Sequence, residues 1–352
     1  MKIKRLIVTV TIFLALALFP AACGTDTTDP ARQQDAGTYE FSLSLHDPLT
    51  SNNGRFLQAW ADEINAKTNG EVIITLYPSG ALATAADVGE MVETGGVDIG
   101  WLFTSYYKGQ FPLTDVTNIP MAGFGDAEIT TQALWDLYEK YPQVRAEWEK
   151  YKLLNLYGNP GMLFASNVAP IDSPDDLKGL VIRTPAGPIT DYVTQLGASP
   201  VVMAPPDLYE ALQKNNINSY IFEPAGITNF KLQEVTKYMT DMPMYNGAFG
   251  LVMNWDKWNS LPTEYQKVFE ETTQRAGSLK AAQDFEKAVE AAKKIIAAAG
   301  CKIVTVSDDN KAKFEKAAEK IISAWPSTVK VEGLDAKEFL DDAMAISQKY
   351  SK

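Results

Sequence analysis

Apolar and polar positions alternate from Tyr39 to Leu45 and stop at His46-Asp47-Pro48, the pattern of a strand that runs into a loop. From Asn53 to Lys67 the period lengthens. Phe56, Leu57, Trp60, Ala61 and Ile64 fall on one helical face, and Asn69-Gly70 closes the segment. Glu71 to Tyr77 predicts a second strand, stopped by Pro78-Ser79-Gly80. Thr84 is placed to cap a helix that reaches Glu93, and Gly95-Gly96 leads into a third strand beginning at Val97 to Trp101. Strand and helix alternating at this spacing predict an α/β fold with a largely parallel sheet.

The rest of the chain continues the alternation. Ala127 to Tyr151 is mostly helical with an interruption at Pro142, and Leu153 to Tyr157 is a strand. Leu180 to Arg183 is a short strand, Pro205 to Lys214 a helix, and Ala248 to Met253 a further buried strand. Ser260 can cap a helix with Leu261-Pro262 in its first turn, where a missing N–H costs little. That pattern continues, with a break at Gly277, to Ala299. Cys301 to Val306 predicts a strand and Asp309 to Ala324 a long helix.

The first residues follow another logic. Lys2, Lys4 and Arg5 precede an uncharged apolar run from Leu6 to Phe19, and Ala21-Ala22 leads into Cys23. This is the layout of a secretory signal over residues 1–22. The run falls short of the roughly 20 apolar residues a spanning helix needs. Cys23 directly after Ala-Ala resembles a bacterial lipobox, in which the cysteine carries the lipid. Pro20 departs from the usual leucine, and the alternative is ordinary cleavage near Ala22 that leaves Cys23 free. Residues 23–37 have no apolar period and read as a tether. No later segment is long and apolar enough to span a bilayer.

Composition narrows the chemistry. The 352 residues carry 44 acidic and 32 basic side chains, a net charge of -12, which disfavours nucleic acid as a partner. Removing residues 1–22 takes away three cations and deepens the charge to -15. A single histidine, His46, excludes a His-rich metal site, and two cysteines are too few for a disulfide framework. The phosphate-loop, dinucleotide and nucleophile-elbow motifs are all absent, so no cofactor, metal or catalytic residue is expected. Cys301 opens an apolar strand and reads as a buried small hydrophobe.

Several segments together resemble one family, the extracytoplasmic solute-binding proteins of tripartite ATP-independent periplasmic (TRAP) transporters, of the dicarboxylate-binding-protein type. They begin with Val97-Asp98-Ile99-Gly100 and Gln110-Phe111-Pro112-Leu113-Thr114. The most informative is Asp176-Leu177-Lys178-Gly179-Leu180-Val181-Ile182-Arg183-Thr184-Pro185, followed by Leu196-Gly197-Ala198-Ser199-Pro200-Val201. Glu234-Val235-Thr236-Lys237-Tyr238 and Trp258-Asn259-Ser260-Leu261-Pro262 complete an ordered set spanning essentially all of residues 39–345.

The resemblance implies a type II periplasmic-binding-protein architecture: two α/β lobes with a ligand cleft and crossing hinge strands. Crossings near Tyr157–Gly161 and Tyr245–Gly250 would build one lobe from residues 38–158 and 249–285. Residues 159–248 and 286–345 would build the other. It also implies a small organic acid as ligand, and the small and large subunits of a membrane permease as partners. Arg183 is the expected carboxylate-binding residue, because a guanidinium meets a carboxylate through two parallel hydrogen bonds. His46, Trp101, Phe103 and Tyr245 are expected pocket residues.

Two departures matter. Where many relatives carry Gly-x-Arg, this chain has Gly161-Met162-Leu163, losing a cation and gaining an apolar wall. The family's Asp-Gly-x-Glu-Asn-Pro is replaced by Asn218 to Pro224, which puts Phe222 or Glu223 at the usual asparagine. Glu223 would either meet the ligand or pair with Arg183. One arginine among aromatics predicts a monocarboxylate with an apolar or aromatic body. An extracytoplasmic ligand sensor is the alternative reading, and a secreted hydrolase a more distant one.

Overall fold

The structure is a computed structural model and describes residues 38–352; the signal, Cys23 and the tether lie outside the described residues. The chain opens with β1 (Tyr39–Ser44), α1 (Asn52–Lys67), β2 (Val72–Tyr77), α2 (Val88–Glu93) and β3 (Ile99–Phe103). Helices α3 (Ala127–Lys140) and α4 (Pro142–Ala146) lead into β4 (Lys152–Gly158). Next come β5 (Leu163–Ser166), β6 (Val181–Thr184), α5 (Pro188–Gln195), β7 (Ser199–Val202) and α6 (Leu208–Gln213). Then follow β8 (Ser219–Phe222), α7 (Pro224–Asn229), β9 (Tyr238–Thr240) and β10 (Ala248–Met253). Helices α8 (Trp255–Ser260), α9 (Thr263–Thr272) and α10 (Gln274–Ala298) precede β11 (Lys302–Val304). The chain closes with α11 (Asp308–Thr328) and α12 (Ala336–Tyr350).

Two sheets result, in the orders β2-β1-β3-β10-β4 and β11-β9-β5-β8-β6-β7. The chain passes from the first sheet to the second between β4 and β5, returns between β9 and β10, and passes to the second again through the helices between β10 and β11. The two strands that arrive from the other sheet by a short connection break the parallel pattern, whereas β11, reached through three helices, pairs parallel with β9. β10 runs antiparallel to both β3 and β4, and β5 antiparallel to both β8 and β9. A short connection passing straight from one sheet into the next enters against the strands already there. The parallel expectation is therefore met by β1, β2 and β3 and corrected at β10.

The strands that periodicity missed are short. β5 and β8 have four residues each, every one buried, so no alternation marks them. β7 lies at a sheet edge, where Pro200 is tolerated.

Three helical expectations are corrected. Ser260 ends α8 instead of capping the next helix, which Pro262 introduces. The break falls at Thr273–Gln274, where Gln274 has φ 58°, and Gly277 lies inside α10. That helix passes unbroken through the expected lobe boundary at 285–286. The expected assignment of the last segment to the second lobe also changes, because α12 packs on α3. Asp342 accepts hydrogen bonds from Lys140 (2.7 Å) and the Tyr141 hydroxyl (2.8 Å), and Phe339 and Leu340 join a cluster with Leu113, Val116 and Leu137.

Candidate functional site

The site begins where β1 ends. Ser51 caps α1 by accepting the Gly54 N–H at 2.8 Å, and the loop behind it is tight. A Cβ on Gly54 would lie 2.4 Å from the Pro48 carbonyl oxygen. This turn buries His46 and Asp47 at the cleft, with Asn53 donating to the Asp47 carboxylate at 3.2 Å.

Trp101 and Phe103 lie two residues apart on β3 and so share a face, and Phe249 stands opposite Phe103 on β10. The rings stack in order. His46 lies 4.5 Å from Trp101, and Trp101 lies 4.7 Å from Phe249 with only 5° between planes. The Trp101 indole N–H is satisfied by the Tyr157 hydroxyl at 2.7 Å. Tyr106 stands edge-on to Phe103 at 5.1 Å.

The second sheet supplies the charge. Arg183 sits at the C-terminal end of β6, beside parallel strands β7 and β8, the end at which open α/β sheets take ligands. Its side chain is 1% exposed. Nε donates to the Met203 carbonyl at 2.8 Å, Nη1 to the Ile221 carbonyl at 3.0 Å, and Nη2 to the Tyr106 hydroxyl at 3.3 Å. A guanidinium has five N–H groups, so one remains on each Nη. Among the described residues no carboxylate pairs with it within the 4.0 Å reach of an ion pair. The expected alternative of a Glu223–Arg183 ion pair is therefore not formed. Phe222 lies under the cation, 5.4 Å from ring centre to Cζ, within cation–π range.

Glu223 is buried at the start of α7, and its Oε2 has no hydrogen-bond partner among the described residues. Burial, reinforced by Asp47, pushes its carboxyl up to about 8 against the opposing pull of Arg183. Burial likewise raises Asp47 to about 6, with Asn53 and Ser51 opposing the shift. His46 is held neutral, its pKa lowered to about 3 by burial and then by Arg183. At neutral pH the pocket therefore holds one fixed cation, one carboxylate, one protonated acid and a neutral imidazole.

Both lobes line a single small cavity of about 20 Å³, walled by His46, Trp101, Phe103, Arg183, Phe222 and Glu223. Six of the seven residues expected from the sequence thus come together. Tyr245 is the exception. It forms a strand-like bridge with Met162 and lines a different cavity behind the crossing segments, although its buried hydroxyl still lies in the field of Arg183 and Glu223. The expected apolar wall shifts by one residue, since Met162 faces Arg183 and Leu163 faces the rear. Asp47, Asn53, Phe230 and Phe249 were missed as site residues. Asp47 adjoins His46, so its acidic side chain at a strand end was the available signal.

A buried guanidinium without an anionic partner among the described residues, set between two lobes that the chain crosses three times, defines a cleft-binding protein. The model of "Bacterial extracellular solute-binding protein, family 7" matches residues 44–327, and the chain belongs to that family. It is similar to the 2,3-diketo-L-gulonate-binding periplasmic protein YiaO of Escherichia coli, 24% identical over 70% of this chain and 75% of that one. A marine metagenome TRAP solute-binding protein specific for aromatic acid ligands, solved with meta-hydroxyphenylacetate, superposes with a TM-score of 0.85. It shares 28% identity over 89% of this chain and 99% of that one. A TRAP protein of Bordetella bronchiseptica, solved with (R)- and (S)-mandelate, gives 0.80 at 26% identity, covering 88% and 99%. The protein is therefore an extracytoplasmic solute-binding protein of the TRAP type and not an enzyme, with the two-lobed type II fold that its motifs resembled.

Proposed function

We propose that this protein captures an aromatic monocarboxylate between its lobes, with Arg183 gripping the carboxylate, and delivers it to a TRAP permease. The carrying observation is the buried guanidinium with two unspent N–H groups and no anionic partner among the described residues. A carboxylate completes both bonds and neutralises the charge. The stack of His46, Trp101 and Phe249, with Phe222 beneath the cation, suits a flat apolar body. The aromatic acids held by the metagenome and Bordetella relatives support the same reading.

A cavity of about 20 Å³ holds little more than one water-sized sphere, so the ligand enters by separation of the lobes. Closure around it is a population shift by hinge motion about the crossing segments. Cleavage after Ala22 and lipidation of Cys23 would anchor the body at a membrane surface. Calorimetry against benzoate, mandelate, hydroxyphenylacetate and succinate tests the reading. Binding of the aromatic acids is expected, and binding of succinate alone overturns it.

A further inference from the structure

Alternation along the first crossing sends Met162 toward Arg183 and its neighbours Gly161 and Leu163 to the opposite side. There, behind the crossings, lies a second cavity of about 480 Å³, in the size range of small-molecule sites. The first lobe contributes Ile119 and Phe124, the second Leu163, the returning crossing Pro243 to Asn246, and the long helix α10 Val289. Its floor is apolar and its rim acidic. Lys293 is paired with Asp241 at 2.9 Å and Lys311 with Glu315 at 3.8 Å, while Asp126 and Glu286 accept the Ile129 and Ala127 N–H groups at the start of α3, which leaves Glu290 without a partner among the described residues. The wall also holds Thr117, fully buried, whose hydroxyl has no hydrogen-bond partner among the described residues.

We propose that this rear cavity is a second binding site, for a small organic cation with an apolar body, and that its occupancy favours the closed lobes. The ligand class follows from the lining: carboxylates in excess of lysines around an apolar floor attract an ammonium head on a hydrophobic stem. The coupling follows from the hinge. The crossings separate the two cavities, so rotation that narrows the front cleft widens the rear one. An occupant of the widened rear space opposes reopening. By linkage, a front ligand must then tighten rear binding by the same factor. This coupling rests on the reading of the front cleft as an aromatic-acid site; the rear site itself does not.

Phenylbutylamine is the probe, with phenylbutanol as its neutral twin, each titrated into the full chain by calorimetry at low salt. The amine is expected to bind with the tighter affinity, weakened about threefold by Glu290→Gln and about tenfold by Glu290→Lys. Glu271→Lys, an equal charge change at an exposed position on α9 outside the cavity lining, should leave it unchanged. Failure of the amine to bind overturns the site, as does an equal loss of binding in Glu271→Lys and Glu290→Lys. Saturating benzoate should tighten the amine several-fold, and unchanged affinity with benzoate bound overturns the coupling. If benzoate itself does not bind, the front-site reading fails while the Glu290 series still decides the rear site.

Discussion

The guanidinium of Arg183 donates to the hydroxyl of Tyr106 across 3.3 Å, and this bond ties the end of β6 to the turn after β3 in the other lobe. A second such tie runs from Asn229 at the end of α7 to Asn52 in the first turn of α1, at 2.9 Å. Removing the phenol hydroxyl weakens closure without touching the two N–H groups assigned to the ligand. Tyr106→Phe is therefore expected to open the unliganded protein, raising the radius of gyration in X-ray scattering. Affinity for an aromatic carboxylate should fall by no more than about 10- to 150-fold, since the lost bond is worth about 1.5–3 kcal/mol at most. A ligand-free scattering curve identical to the parent's removes Tyr106 from the closing device.

Arg183 itself tests differently. Lysine keeps the positive charge but cannot reach the Met203 and Ile221 carbonyls while presenting a two-pronged face to a carboxylate. Arg183→Lys should therefore lose about 2–5 kcal/mol of binding, which is about 30-fold or more in Kd. Circular dichroism melting checks that the fold survives. Retained affinity in Arg183→Lys would mean that charge alone, and not the fork, holds the ligand.

The sequence was most legible where a segment has one wet and one dry face, or where a motif is contiguous. Strand β1 and helix α1 were visible from periodicity, and Arg183 from its place in a ten-residue motif. Strands β5 and β8 were not visible, because full burial erases alternation over four residues. Asp47 escaped because a loop acid beside a proline is ordinarily solvated. Its burial depends on a turn closed by Ser51 and Gly54, which only the fold displays. Phe249 escaped for the opposite reason, as one apolar residue in an apolar strand. Its role comes from lying across from Phe103, a register that no local pattern encodes.

Gly247 tests the join between hinge and pocket. Its N–H donates to the Asn159 side-chain oxygen at 2.6 Å, stitching the second crossing to the first, and a Cβ there would lie 2.2 Å from the Phe103 ring. Phe103 cannot retreat freely, since Phe249 packs on it at 4.8 Å and Tyr106 at 5.1 Å. Gly247→Ala should cost about 1–3 kcal/mol of stability through overpacking. That lowers Tm by several degrees and displaces the aromatic wall, so ligand affinity falls with it. A thermal melt that matches the parent's would show that the ring has room to move.

Protonation of Glu223 gives the pH dependence its sign. Burial holds the carboxyl at about 8 in the folded protein, against an ordinary value of 4.5 once unfolded. The folded state therefore binds the extra proton. The stability linked to it is full below pH 4.5 and is lost as pH rises through 8. Asp47, raised to about 6, acts in the same direction, as do Asp115, raised to about 7, and Glu147, raised to about 8. His46 acts oppositely, its share being lost as pH falls from 6.5 toward 3. The contribution of Glu223 is isolated by the difference between parent and Glu223→Gln, measured as urea midpoints from pH 5 to pH 9. The parent should lose stability relative to the variant as pH rises across that range. Ligand binding should follow the same proton, because ionising Glu223 places a second anion beside the carboxylate that Arg183 is proposed to hold. Affinity for benzoate should fall above pH 8 in the parent and stay flat in Glu223→Gln; parallel profiles for the two proteins would remove Glu223 from the pocket's charge balance.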